Sequence, residues 1–570
     1  SNTSFSQTTP EKAAKLWNLR QSEIQQLYQD GNLEGALNSA QESVSLAEVA
    51  FGSGTLKTIS SMLLQAQIHG ELDQLEEANQ IYEVALETSV AAFGESDTTT
   101  LSVLDHYGGF LRSIDPEMSE PVLQEVLRLT AEDEPQRAVR LKTLGLNLQE
   151  LGRIGEAEGM LSEALKAFKQ VLGENNPETL SAMADLAKLY MSQGKLNSAQ
   201  ELFENALPLM LQLMNETDFL ILESKENLAE IYRQQGKFSQ AEKLFLESLQ
   251  GAVAEYGEED SLVIQVRSHL AQLYEDTGKL KKALLLHQKV YEVDLALLGE
   301  AHPNTAGDLN NLASVNRRLG EYQKAEKLFR KSLEVMIAAL GEESPQTVSV
   351  MNNLALLLEN QGLYDEAEPL FKKAFAISGK IQGDRHPTTL ALLNNLAFLY
   401  ESQGDFMRSE LNYKKVIQFN TEVFGENHTN TIANQNNLAY LYLRDERYNE
   451  AQPIFTKVHS QWSKLLGAEH QNTLKALNNL GRVQKSLGNL EAAEKHLIEA
   501  LAGRTKVFGK RHADTLRSMN DMGELFVVQE KLDEALKMFQ ETLKLEEEVL
   551  GENHPYTFET LNNLADLLKI

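Results

Sequence analysis

Apolar residues fall into blocks in which they recur three and four positions apart. Residues 305–319 set Leu309, Leu312, Ala313 and Leu319 on one helical face, and residues 322–340 do the same with Tyr322, Ala325, Leu328, Phe329, Ser332 and Leu333. That spacing predicts amphipathic helices. Glycines punctuate the blocks. Gly173, Gly257, Gly299, Gly341, Gly383, Gly425, Gly467, Gly509 and Gly551 are separated by multiples of 42 residues, with Asn215 in the one vacant slot. A second series, Gly152, Gly194, Gly236, Gly278, Gly320, Gly362, Gly404 and Gly488, keeps the same register. Glycine just past the last periodic residue stops a helix, and proline at a first helical position starts one without wasting a donor. Pro177, Pro303, Pro345, Pro387 and Pro555 occupy that starting slot. Each period therefore reads as helix, tight turn, helix, then a loop of about six residues.

The residues LNNLA, a tyrosine three positions on in some copies (Tyr400, Tyr442), Gln361-Gly362 and YDEAEPLFKKA at 364–374 carry a family resemblance. The chain resembles the tetratricopeptide repeat (TPR) family, in the 42-residue form of kinesin light chains and many bacterial proteins. The resemblance implies an all-α fold: a right-handed superhelical α-solenoid with the first helix of each pair on the concave side. Thirteen pairs and a single last helix, 555–570, fit the chain. Leu309, Leu312, Ala313, Ala325 and Phe329 fill the signature slots, and Asn316 departs from the usual tyrosine.

Two irregularities suggest a division into 1–134 and 135–570. Gly94 and Gly173 are 79 residues apart, five short of two periods, so repeat 3 (about 95–131) is short and is expected to form a bend or hinge. Residues 1–134 also carry 6 Lys+Arg against 22 Asp+Glu, more than half of the chain's net charge of −30. Solvated acidic helix faces explain such an excess, and a docking surface for a basic partner is the sharper reading.

The net charge argues against a nucleic-acid binder, because phosphate backbones demand a basic surface. The absence of cysteine removes disulfides, thiolate metal sites and a cysteine nucleophile. No apolar run reaches the length of a membrane span. The polar start, SNTSFSQTTP, lacks a methionine and reads as a trimmed or engineered end. Cytoplasmic location is the expectation, with periplasmic or secreted placement as the alternatives.

Candidate chemistry is sparse. His302, His386, His428, His470, His512 and His554 share one junction slot, one repeat apart, and read as helix-entry residues rather than metal ligands. No nucleophile elbow, Walker loop or H-E-x-x-H motif is present, so neither an enzyme nor a cofactor is expected.

The asparagine pairs say more. Asn310-Asn311, Asn352-Asn353, Asn394-Asn395, Asn436-Asn437 and Asn478-Asn479 run unbroken through repeats 8–12. Asparagine is a mediocre helix former, yet its amide both donates and accepts. One use is inter-repeat hydrogen bonding; the other is to hold an extended peptide by its backbone. The resemblance implies the second use for Asn311, Asn353, Asn395, Asn437 and Asn479. Stepping along the same helical face collects Arg317, Arg318, Leu356, Glu359, Phe398, Glu401, Tyr440, Arg444, Lys475, Arg482 and Lys485. Six basic and two acidic residues reverse the sign of the chain, around an apolar centre of Leu356, Phe398 and Tyr440. Repeat 13 offers Arg517, Asn520, Asp521 and Glu524, which closes the basic stretch.

Such a face suits an acidic peptide with an apolar or aromatic residue. The leading expectation is a non-enzymatic scaffold that binds a protein or peptide segment in the groove of repeats 8–12. The alternatives are a regulatory module of a larger caspase-like protease or nucleotide-binding switch, and a structural or self-assembling spacer. Partner identity and oligomeric state have no signal in the sequence.

Overall fold

The computed structural model describes residues 9–132, 134–552 and 554–569. Residues 1–8, most of the polar start, and Ile570 of the expected last helix lie outside the described residues. Within them the chain forms twenty-seven α-helices and no strand: thirteen helical hairpins followed by Pro555–Leu567. This is an all-α solenoid. First helices are mostly 16 residues long, as in Pro303–Arg318, and second helices 18 or 19, as in Tyr322–Leu340.

Most junctions between hairpins follow one plan, shown by the one that opens repeat 8. Gly299 takes φ of 82°, where an L side chain is strained and glycine is not. The side chain of His302 caps the next helix by accepting the amide of Asn304, with Pro303 at its first position. Two residues later the Thr305 hydroxyl donates to the carbonyl of Gly299 at 2.9 Å, and Thr347, Thr431, Thr473, Thr515 and Thr557 repeat that bond. The loop spans four residues, Gly299 to His302, rather than six, because the next helix already begins at Pro303. At the turn inside each hairpin, Asp73, Glu446 and Glu530 stand in glycine slots at φ near 60°.

Packing follows from two slots on the second helices. Ala325, Ala367 and Ala451 are fully buried and let the helices approach closely. Four residues on, Phe203, Phe245, Phe329, Phe371, Phe455 and Phe539 fill the space between helices. Around repeats 8–10, Phe329 and Phe371 join Leu354, Leu358, Leu396 and Leu399 in one continuous cluster. His287 occupies the phenylalanine slot of repeat 7 and bonds Glu275 at 3.0 Å.

The chain divides into two compact units, one ending at Ser224 and one beginning at Lys225. This boundary follows packing, whereas the division at 134 follows charge and the short repeat 3. In the first unit the irregular repeat 3 has a second helix, Pro116–Leu129, of only 14 residues, with Pro121 inside it. Gly108 faces it, where a Cβ would lie 2.7 Å from Leu123. Buried Arg140 ties this repeat to the next by reaching Asp105 at 2.8 Å, Glu134 at 3.2 Å and the Thr130 hydroxyl at 2.7 Å.

The second unit winds far enough to touch itself. His512 Nε2 meets the carbonyl oxygen of Asp276 at 3.1 Å although the two are 236 residues apart, between five and six periods. Phe238 and Phe508 lie with ring centroids 5.8 Å apart, and His470 approaches Gly236 and the backbone of Gln234. The turns inside hairpins of repeats 6 and 7 thus rest on the junctions that open repeats 12 and 13. This contact encloses the inner face of the intervening repeats.

Candidate functional site

The asparagine pairs form a ladder along the inner face of the second unit. Asn353 Nδ2 donates to Asn310 Oδ1 at 2.9 Å, Asn395 to Asn352 at 2.8 Å, and Asn437 to Asn394 at 3.0 Å. The second asparagine of each repeat is bonded to the first of the preceding one. The amides therefore do set register between repeats, and each rung still leaves one N–H of the donating amide free. At the next position the pattern stops: Asn479 Nδ2 and Asn436 Oδ1 both lack a hydrogen-bond partner. Asp521 replaces the asparagine one repeat further. A carboxylate only accepts, so Asn478 turns and donates to it at 2.6 Å.

The ladder opens beside a cavity of about 370 Å³. It is lined by Asn395, Asn437 and Asn479, by Phe398 and Tyr440, and by Arg444 and Lys475, all named from the sequence. Glu401, Tyr413, Asn436, Arg504, Asp514 and Arg517 are among the other residues that line it. Arg317 and Arg318 lie elsewhere, lining a second cavity of about 730 Å³ with His512 and Tyr556, where successive turns meet. Asn311, Asn353, Leu356, Arg482 and Lys485 line neither.

Most of the basic side chains have partners within the chain. Arg318 bonds Glu275 at 3.1 Å, Arg444 meets buried Glu401 at 3.2 Å, Arg482 meets Asp521 at 3.3 Å, and Lys485 meets Glu524. Arg317 donates to the Asn360 amide at 2.8 Å. These contacts join neighbouring first helices, which accounts for part of the positive charge on this face.

Three cations behave differently. Arg504, only 3 % exposed, donates to the Asp514 carbonyl and the Ser518 hydroxyl, both at 2.7 Å, and among the described residues no carboxylate lies at ion-pair distance from it. Arg517 donates to the hydroxyls of Tyr440 at 3.1 Å and Tyr556 at 3.3 Å and lies over the Tyr556 ring; among the described residues no carboxylate is at ion-pair distance, and Asp521 and Glu559 act on it from further away. Lys475 is exposed on the wall of the cavity yet surrounded by protein, which lowers its ammonium below the ordinary lysine value. Burial likewise pulls the Arg504 guanidinium down. Burial alone would raise Asp514, but Arg504, His512, Lys475 and Arg517 hold it below the usual carboxylate range. Burial would also raise Tyr440, and Arg482 and Arg517 more than reverse it. The groove is electropositive here.

Arg504 was missed because it sits on a second helix, Leu490–Phe508, while the groove face was traced along first helices. Its signal was present: the same slot holds Met336, Ser378, Asn420 and Trp462 in earlier repeats, so arginine there is a charge in a packing position. Arg517 lies in repeat 13, past the end of the basic stretch that the first helices predict.

Among the described residues no cluster of His, Asp or Glu could hold a metal ion, and no helix is long and apolar enough to cross a membrane. Among solved structures, the chain is similar to TPR-like repeats from a kinesin light chain candidate of Podosopora anserina, with 24% identity, a TM-score of 0.31, and coverage of 36% of this chain and 97% of that one. A point variant of that protein gives 24% identity and a TM-score of 0.32 with the same coverage. BtubC (BKLC) from P. vanneervenii matches at 26% identity and a TM-score of 0.34, covering 41% of this chain and 92% of that one. A search of the curated proteins finds no match. A family model described as the tetratricopeptide repeat matches 135–212, 220–296, and overlapping stretches that together run from 305 to 569. These matches cover well over half of the sequence, and the chain belongs to the tetratricopeptide repeat family.

Proposed function

We propose that the second unit is a peptide-binding scaffold whose inner face, over repeats 8–12, holds an extended acidic segment with an apolar or aromatic residue. Tetratricopeptide repeats mediate protein–protein interaction, and the finer reading rests on one observation. Phe398 and Tyr440 share a cavity with free amide capacity from Asn395, Asn437 and Asn479 and with the cations Lys475 and Arg517. The amides suit peptide backbone, the rings suit an apolar side chain, and the cations suit carboxylates. The paired arginines, Arg318, Arg444 and Arg482, serve this reading by holding the helices in register.

Fluorescence anisotropy tests it. A labelled peptide with one aromatic residue between acidic residues binds the full chain saturably, and Phe398→Ala weakens it at least about tenfold, near 1.4 kcal/mol. Equal affinity for wild type and variant, or for a scrambled basic peptide, contradicts it.

A further inference from the structure

The three unpaired cations single out one end of the groove. Buried charges in proteins are paired, because an isolated ion in a low-dielectric interior is costly. Arg504 is buried with only neutral acceptors at contact distance, Arg517 meets two tyrosine hydroxyls, and among the described residues no ion pair involves Lys475. All three line one cavity. Its charged lining is Arg444, Lys475, Arg504 and Arg517 against Glu401 and Asp514, four positive and two negative, a net of +2. Arg444 and Glu401 satisfy each other, which leaves the excess on the other cations.

A second observation marks the same place. The amide ladder is continuous up to Asn437 and breaks where Asn479 should donate to Asn436. Asn436 is 2 % exposed and Asn479 6 %, so water does not satisfy these groups freely. Both residues line the cavity. Asp514 is shared by all three cations, so positive charge remains in excess beside an unpartnered amide donor, an arrangement suited to an anion.

We infer that this cavity binds a phosphate monoester, either a phosphorylated residue of a peptide or a free small molecule. A carboxylate brings one charge and two oxygens. A phosphate monoester brings nearly two charges and three acceptor oxygens, matching both the excess and the donors. Phe398 and Tyr440 cover the organic part, and the volume lies in the range of small-ligand sites. This deepens the peptide reading by naming the anion at the end formed by repeats 12 and 13, and it fails separately from that reading.

The test is calorimetric titration of the full chain with phenyl phosphate, benzoate, and a phosphotyrosine peptide alongside its unphosphorylated twin. Phenyl phosphate binds saturably and at least about tenfold more tightly than benzoate. Lys475→Gln, an open side chain whose loss leaves the fold intact, weakens that binding at least about tenfold, and Arg517→Gln does the same if it folds. Lys537→Gln, on an outer helix, changes nothing. A phosphopeptide tighter than phenyl phosphate identifies a peptide source, and equal affinities identify a free monoester. Benzoate equal to phenyl phosphate, no saturable binding of either phosphate, or full binding by folded Lys475→Gln overturns the inference. Binding of an acidic–aromatic peptide that phenyl phosphate does not displace sinks this inference alone. Phenyl phosphate binding without any peptide binding sinks the peptide reading alone.

Discussion

The Nε2–H of His512 donates to the main-chain carbonyl of Asp276 at 3.1 Å while Nδ1 of the same ring accepts the amide of Asp514 at 3.1 Å. One neutral imidazole therefore caps a helix and joins two turns of the solenoid. The carbonyl only accepts and the amide only donates, so the geometry admits a single tautomer. Replacing His512 by alanine should raise hydrogen exchange of the amides around residues 276–278. His428→Ala removes a cap but no seam contact and should leave those amides protected. Equal protection in wild type and His512→Ala would show that the seam does not depend on this bond.

The caps also set a pH dependence. Burial lowers the histidine pKa at His470, His512 and His554. The unfolded chain, near 6.5, takes up these protons first. The caps contribute fully above about pH 6.5, and their contribution is lost as pH falls through that value toward the lower folded pKa. Asparagine also caps and does not titrate. A variant with asparagine at all three positions should lose less melting temperature between pH 7 and pH 5 than wild type. An unchanged loss would remove the caps from the explanation.

A buried acid pair acts with the opposite sign. Burial first, then Asp294 beside it, pushes Asp308 up to about 8, and its Oδ2 has no partner. Its folded pKa exceeds the unfolded value near 3.9, so folding is opposed increasingly as pH rises from about 4 to 8. Asp308→Asn mimics the neutral form. Denaturant titrations should show the variant little changed at pH 4 and gaining progressively over wild type as pH rises to 8. A pH-independent difference would contradict this assignment.

The ladder makes a paired prediction. Asn395→Ala removes the donor to Asn352 and should cost about 1 kcal/mol. Asn479→Ala removes an amide nitrogen that bonds nothing and should cost less than half as much. Equal losses would mean that the rungs are not what stabilises these positions.

The repeat and its helices were legible because each stop and start needs a particular residue. Gly299 supplies a positive φ, and His302 and Pro303 supply a cap and a fixed first position. The asparagine pairs were legible as a column, but not their division of labour, because a rung joins residues 43 apart on different helices. The contact of His512 with Asp276 had no signal, since it depends on small rotations accumulated over several repeats. The site itself was half legible. Tracing first helices found Phe398, Tyr440, Lys475 and Asn479, while Arg504 enters from a second helix and Arg517 from beyond the expected boundary.

Photo-cross-linking tests the peptide-binding claim most directly. An acidic peptide carrying p-benzoylphenylalanine in place of its aromatic residue is irradiated with the full chain, and the adducts are mapped by mass spectrometry. Adducts confined to Pro387–Ser402 and Thr429–Arg444, around Phe398 and Tyr440, are the predicted result. Adducts on the outer helices or in residues before Ser224, with none in the groove, would contradict it.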